Sequence, residues 1–225
     1  MIVSIGDDKL NKLICKQIDN SFNLDASEEV DLLEAVQVAK QHTAICFQEI
    51  INKYYWNDND ELMFNPYHSA QYSIFLYFLS CAAFNMGNIS LADRVYYLNR
   101  MMNCCDLFYE VSLPKVFFLD HPIGAILGRA SYGNYFVFQQ NCTIGGNHGV
   151  YPKMGNFVRL FANAIVIGDT EIGNNVFVSA GTLIKDEKIP DNTIVFGKSP
   201  NLILKQKPAE YFYASSPFKY HRSLL

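Results

Sequence analysis

The chain lacks a basic stripe. Its 18 lysines and arginines are outnumbered by 22 acids, and the net charge of −4 is spread along the length. No nucleic-acid surface is therefore expected. The six cysteines, Cys15, Cys46, Cys81, Cys104, Cys105 and Cys142, form no C-x-x-C pair, and Met1 to Leu10 has no apolar leader. Free thiols in a reducing compartment and a cytoplasmic protein are the expectation. No apolar run is long enough to span a bilayer. The longest, Tyr72 to Phe84, carries serines and tyrosines and reads as a buried helix. Glycine and proline are few (13 and 8), while half of the 225 residues are hydrophobic, which excludes a disordered chain and allows a sizeable core. The five histidines have no metal-ligand spacing, so no metal is expected.

What is present divides into two rhythms. The first half reads as helices. Asp25-Ala-Ser-Glu28 has capping-box form, opening a helix that runs to about Tyr55 with Val30, Leu33, Val36, Ile45 and Ile50 along one side. A second helix runs from about Pro66 to Met86 and stops at Gly87, and Ser90 caps a third from Leu91 to about Asn103.

The second half keeps a step of six. Met154, Leu160, Val166, Ile172, Val178 and Ile184 are all apolar, and Ile126, Tyr132, Phe138 and Ile144 hold the same step upstream. A helix drifts out of phase at that period, and hairpin strands show no fixed turn spacing. A sandwich with accidental spacing competes, but a sustained hexad predicts a parallel β-solenoid with one apolar residue of each short strand pointing inward. The rhythm breaks once, at Asn147-His-Gly-Val-Tyr-Pro152, which carries four residues too many and predicts an extruded loop bordering a site.

Hexads with one extruded loop resemble the left-handed β-helix acyltransferases, and within them the chain looks most like serine acetyltransferase. That family's L-D-H-x-x-G-x-x-x-G is matched by Leu119-Asp120-His121-Pro-Ile-Gly124-Ala-Ile-Leu-Gly128, its T-L-G-G by Thr143-Ile-Gly-Gly146, and its Phe-His-Ala-x-Gln by Tyr67-His68-Ser-Ala-Gln71. The match covers roughly residues 60 to 205. It implies an α + β-solenoid chain: a helical N-terminal domain (1–105), a left-handed parallel β-helix (106–207) with a loop near 146–153, and an aromatic tail (208–225). It also implies acetyl-CoA as donor, a homotrimer, and O-acetyl transfer to a hydroxyl. A non-catalytic assembly solenoid is the reading from another class.

Acyl transfer from a thioester to an alcohol needs a base, a group that orients the base, and donors for the developing oxyanion. Histidine fits the first task and a carboxylate the second. The resemblance makes His121 the base and Asp106, fifteen residues upstream, its orienting partner, with Glu110 competing. A coil of eighteen residues stacks Asp106 under Gly124. Asp120 is expected to face the acceptor, with His148 and Tyr151 of the loop beside it. His68 is structural or a distant wall of the acceptor site, and His42 and His221 look incidental. For the donor, Gly146 lies at the loop. Ala162, Ala180 and Lys198, eighteen residues apart, form a column against which a pantetheine arm can lie. Lys198, Lys205 and Lys207 either meet nucleotide phosphates or form a solvated tail.

The chain departs from the family at the loop. Serine acetyltransferases place an Arg-His pair before the closing Pro-Lys, and here Val150-Tyr151 precede Pro152-Lys153. With no loop arginine to meet an amino-acid carboxylate, and with Tyr211, Phe212, Tyr213, Phe218 and Tyr220 in the tail, the expected acceptor is a sugar hydroxyl of a surface polysaccharide or its precursor. L-serine is the alternative.

Overall fold

The structure, a computed structural model, describes residues 1–225. It comprises two compact units, Met1–Glu110 and Val111–Leu225.

The first unit is helical: α1 (Asp7–Phe22), α2 (Ala26–Phe47), α3 (Ser69–Asn85) and α4 (Ile89–Asn103), with a short parallel pair, Ile2–Val3 beside Met63–Phe64. The expected capping box opens α2: Asp25 and Glu28 each take the other's backbone N–H. That helix ends at Phe47, however, and a 3₁₀ turn (Lys53–Tyr55) follows. Val30 and Ile45, expected inside, are exposed, and Leu32, Val36, Ala39 and Cys46 take the buried face. Every residue of α3 from Ala70 to Ser80 is buried, as the apolar run implies. His68 is its N-cap, Nδ1 accepting from the Gln71 N–H at 3.4 Å, and Asn88, not Ser90, caps α4. The six cysteines are free thiols. No helix is long and apolar enough to cross a membrane.

The second unit is a three-faced parallel solenoid of about five turns. The first face stacks Phe117–Asp120, Phe136–Gln139, Val158–Leu160, Val176–Val178 and the start of Thr193–Lys198. The second stacks Ile126–Leu127, Thr143–Gly145, Ile165–Ile167 and Leu183–Lys185. The third stacks Lys153–Met154, Glu171–Ile172 and Lys188–Ile189. The hexad residues Met154, Leu160, Val166, Ile172, Val178 and Ile184 line the interior, each at most 5% exposed.

Two registers differ from the even step. Ile126 is exposed, and Leu127, paired with Ile144, points inward in its place. At the other end Val178 pairs with Val195, so the last coil is a residue short. Ala180 therefore stacks under Gly197, while Lys198 moves to the second face opposite Leu183. The expected column of Ala162, Ala180 and Lys198 thus ends in a glycine. Corners are turned by residues in the left-handed region, among them Asn141, Asn163, Asn175 and Asn192, whose short amides tolerate it. Amides also bridge successive coils: Asn134 N–H to Asn156 Oδ1 (2.9 Å), Asn156 N–H to Asn174 Oδ1 (2.8 Å), Asn174 N–H to Asp191 Oδ1 (2.7 Å).

The tail is part of the core of this unit. Phe212 and Phe218, in and beside α5 (Ala209–Ala214) and α6 (Lys219–Arg222), are fully buried, and Phe212 meets Phe177 edge-on at 4.8 Å. His221, expected to be incidental, is 3% exposed, stacks on Phe157 at 3.9 Å and shares a hydrogen bond with Ser216 Oγ (2.9 Å). The tail aromatics are in large part packing residues, so they lend the sugar reading less than their number suggests.

Candidate active site

The strand Phe117–Asp120 ends at His121, whose φ of 52° is in the left-handed region. That conformation is costly for a non-glycine residue. It turns the chain off the face just before Pro122 and leaves the imidazole 87% exposed. The frame glycines have local causes. Gly124 has φ +74°, and a Cβ there would lie 2.2 Å from Asn141 Oδ1. At Gly128 a Cβ would lie 2.5 Å from the Ile144 carbonyl oxygen.

Asp120 is the centre of a small network. His121 Nε2 is 3.8 Å from its Oδ1, and Gln139, one coil on, donates Nε2–H to its Oδ2 at 2.7 Å. The Gln139 carbonyl in turn accepts the Ala162 N–H at 3.1 Å, fixing the amide between three successive coils. Arg159 stands on the other side, its guanidinium 3.8 Å from Asp120 Oδ2 and 4.6 Å from the Phe161 ring. Burial lowers the Arg159 pKa from its usual value, and Asp120 partly offsets this.

The extruded segment is a tight hairpin. Asn147 and Val150 exchange both backbone hydrogen bonds, at 2.9 and 3.0 Å, around His148 (φ 50°) and Gly149 (φ 77°), the two positive values of a type I′ turn. His148 is exposed at its tip. The Tyr151 ring lies over Gly146, where a Cβ would be 2.6 Å from Tyr151 Cε1. The coil from Ile144 to Val166 has 22 residues against 18 from Val166 to Ile184, the four extra residues foreseen.

Asp106 is not in the solenoid, so it does not stack under Gly124. It lies in the helical unit, where its carboxylate accepts from Tyr96 OH at 2.8 Å and faces Arg100 at 3.8 Å. Lys198 and Lys205 are exposed on the last coil and its return strand, with Lys205 over the Phe196 ring at 5.2 Å. Gln139 and Arg159 are absent from the sequence-based set. Each occupies an unremarkable outward position of a hexad, and only the register reveals that both converge on Asp120.

No family model matches the chain. It is 30% identical over 104 residues to a serine acetyltransferase of Synechococcus elongatus, a match covering 44% of this chain and 43% of that protein. The chain therefore spans less than half the length of that relative. It is 32% identical over 123 residues to the putative colanic acid biosynthesis acetyltransferase WcaB of Escherichia coli K12, covering 51% of this chain and 75% of WcaB. Two serine acetyltransferase structures superpose at TM-score 0.70 (complex with cysteine, 20% identity, 92% of this chain and 81% of that one) and 0.61 (complex with CoA, 18% identity, 87% and 83%). The coil stack and these superpositions define a left-handed β-helix, and the sequence relatives place it in the hexapeptide-repeat acyltransferase class. Within it, the WcaB relative, three quarters of which this chain covers, shows that the chain belongs to an acetyltransferase family, to which the serine acetyltransferases are further sequence relatives.

Proposed function

We propose that the protein is an acetyl-CoA-dependent O-acetyltransferase, with His121 as general base. The observation that carries this reading is the exposed imidazole, held in a left-handed turn beside Asp120 at the end of the first strand of the solenoid. Histidine titrates near neutral pH, so the ring can take the acceptor's hydroxyl proton as that oxygen attacks the thioester carbonyl carbon. The carbon–sulfur bond then breaks, and the departing thiolate receives the proton. Gln139 holds the Asp120 carboxylate in place next to the ring. Asp106 keeps the orienting role that the resemblance assigns, and Tyr96 and Arg100 hold its carboxylate in place.

For the donor, the proposal places pantetheine along Gly146, Ala162 and Ala180. Lys198 and Lys205 are the candidates for its phosphates, and a homotrimer is the expected assembly. The acceptor proposed is a sugar hydroxyl of a surface polysaccharide or its precursor. The WcaB relative and the absence of arginine from the loop support it. The serine acetyltransferase relatives support L-serine as the second reading. An acceptor screen that follows CoA thiol release tests both. Turnover with sugars and not with L-serine upholds the first, and efficient serine acetylation with sugars untouched overturns it.

A further inference from the structure

The outward residues of the first face form a column: Phe118, Val137, Arg159, Phe177 and Ile194 are in register on successive strands. Four are apolar and buried, between 0% and 9% exposed. Arg159 alone is charged, and its side chain is 18% exposed. Its guanidinium makes no hydrogen bond within the chain, and Nε is fully enclosed with no partner. The one anion facing it, Asp120, is 3.8 Å away, too far for a hydrogen bond, and that oxygen already accepts from Gln139.

A half-buried cation with its donors unused is a costly arrangement. A well-packed apolar side chain would ordinarily be at least as stable there. The fork of a guanidinium suits one class of partner, a planar oxyanion bound through two N–H donors. The position is also informative. Imidazole and guanidinium flank the same carboxylate from opposite oxygens, so a small molecule presenting its hydroxyl to His121 has Arg159 within its own length.

We infer that Arg159 is the receptor for a carboxylate on the acceptor, and that the acceptor is an acidic sugar of the uronic acid type. This rests on the sugar reading above. It replaces the cation missing from the loop with one supplied by the strand Val158–Leu160. Asp120 does not repel such a ligand outright, because Gln139 and Arg159 both face its nearer oxygen.

The test is a kinetic comparison of the wild type with Arg159→Met and Arg159→Lys. The acceptors are methyl glucuronide, methyl glucoside and L-serine, with acetyl-CoA as donor. The glucuronide is expected to exceed the glucoside by about 100-fold in kcat/KM. Arg159→Met should erase that preference by raising the acceptor KM, with the acetyl-CoA KM unchanged. Arg159→Lys should recover part of it. Thermal stability of Arg159→Met should equal or exceed that of the wild type, whereas a merely structural arginine would lower it. Equal use of both sugars, or a rise in the acetyl-CoA KM instead, overturns the assignment. If L-serine alone is acetylated, the sugar reading fails. The carboxylate receptor then stands only if Arg159→Met raises the serine KM, and falls if that KM is unchanged.

Discussion

Gln139 Nε2 donates to Asp120 Oδ2 at 2.7 Å, joining the first two coils at the residue next to His121. The amide is doubly engaged, since its carbonyl takes the Ala162 N–H. Replacing Gln139 by Leu removes both bonds. Stability should fall by about 1–2 kcal/mol, and kcat roughly tenfold as Asp120 and the ring lose their fixed orientation. Thermal unfolding and steady-state kinetics measure the two separately. A loss of stability with intact kcat would show that the bond serves only the fold.

The frame glycines make a steric prediction. Gly128→Ala puts a methyl 2.5 Å from the Ile144 carbonyl, which is ladder backbone and cannot yield without parting the coils. Gly145→Ala meets nothing within 4 Å. The first should cost on the order of 2 kcal/mol or more and the second less than about 0.5. Chemical denaturation of the two variants checks the order.

The tail carries a pH dependence. Burial pushes His221 down to about 4, so the packed ring stays neutral while a released one titrates near its ordinary value. Its contribution is therefore complete above about pH 6.5 and is lost as pH falls towards 4, by ~3 kcal/mol at the acid end. Hydrogen-exchange protection factors in residues 209–222, each rate divided by its intrinsic rate at the same pH, should fall between pH 6.5 and 4.5, and His221→Phe should flatten that response. Protection factors independent of pH in this window would contradict the burial argument.

Asp106 and Asp120 can be separated by substitution. Asp106→Asn is expected to lower kcat roughly 100-fold with acceptor KM little changed, as befits a residue acting through the base. Asp120→Asn is expected to raise acceptor KM as well, because that acid lies beside the ring and Arg159. An unchanged kcat for Asp106→Asn assigns the orienting role to Asp120.

Much of this fold was legible because an inward solenoid position must be apolar at every step, and the core from Met154 to Ile184 obeys that rule without exception. The rule fails where coil length varies. A coil of 17 residues from Leu127 to Ile144 misplaced Ile126, and a short last coil misplaced Lys198. Helix α1 went unread although Leu10, Ile14 and Ile18 form a stripe, because that stripe is one residue wide. The turn at His121 was legible through its frame. Arg159 and Gln139 were not, since periodicity says which residues face outward but not which outward positions become covered or brought together across coils. The tail aromatics show the same limit, as their covering surface is the solenoid 35 and 61 residues upstream, Phe212 on Phe177 and Phe218 on Phe157.

The central claim is that His121 performs the proton transfer. His121→Ala, compared with the wild type by CoA thiol release on the best acceptor of the screen, addresses it directly. The exposed side chain supports no packing, so the variant should fold with unchanged stability and lose acetyl transfer by about 10²–10⁴-fold. A folded His121→Ala variant that retains wild-type turnover would contradict the account.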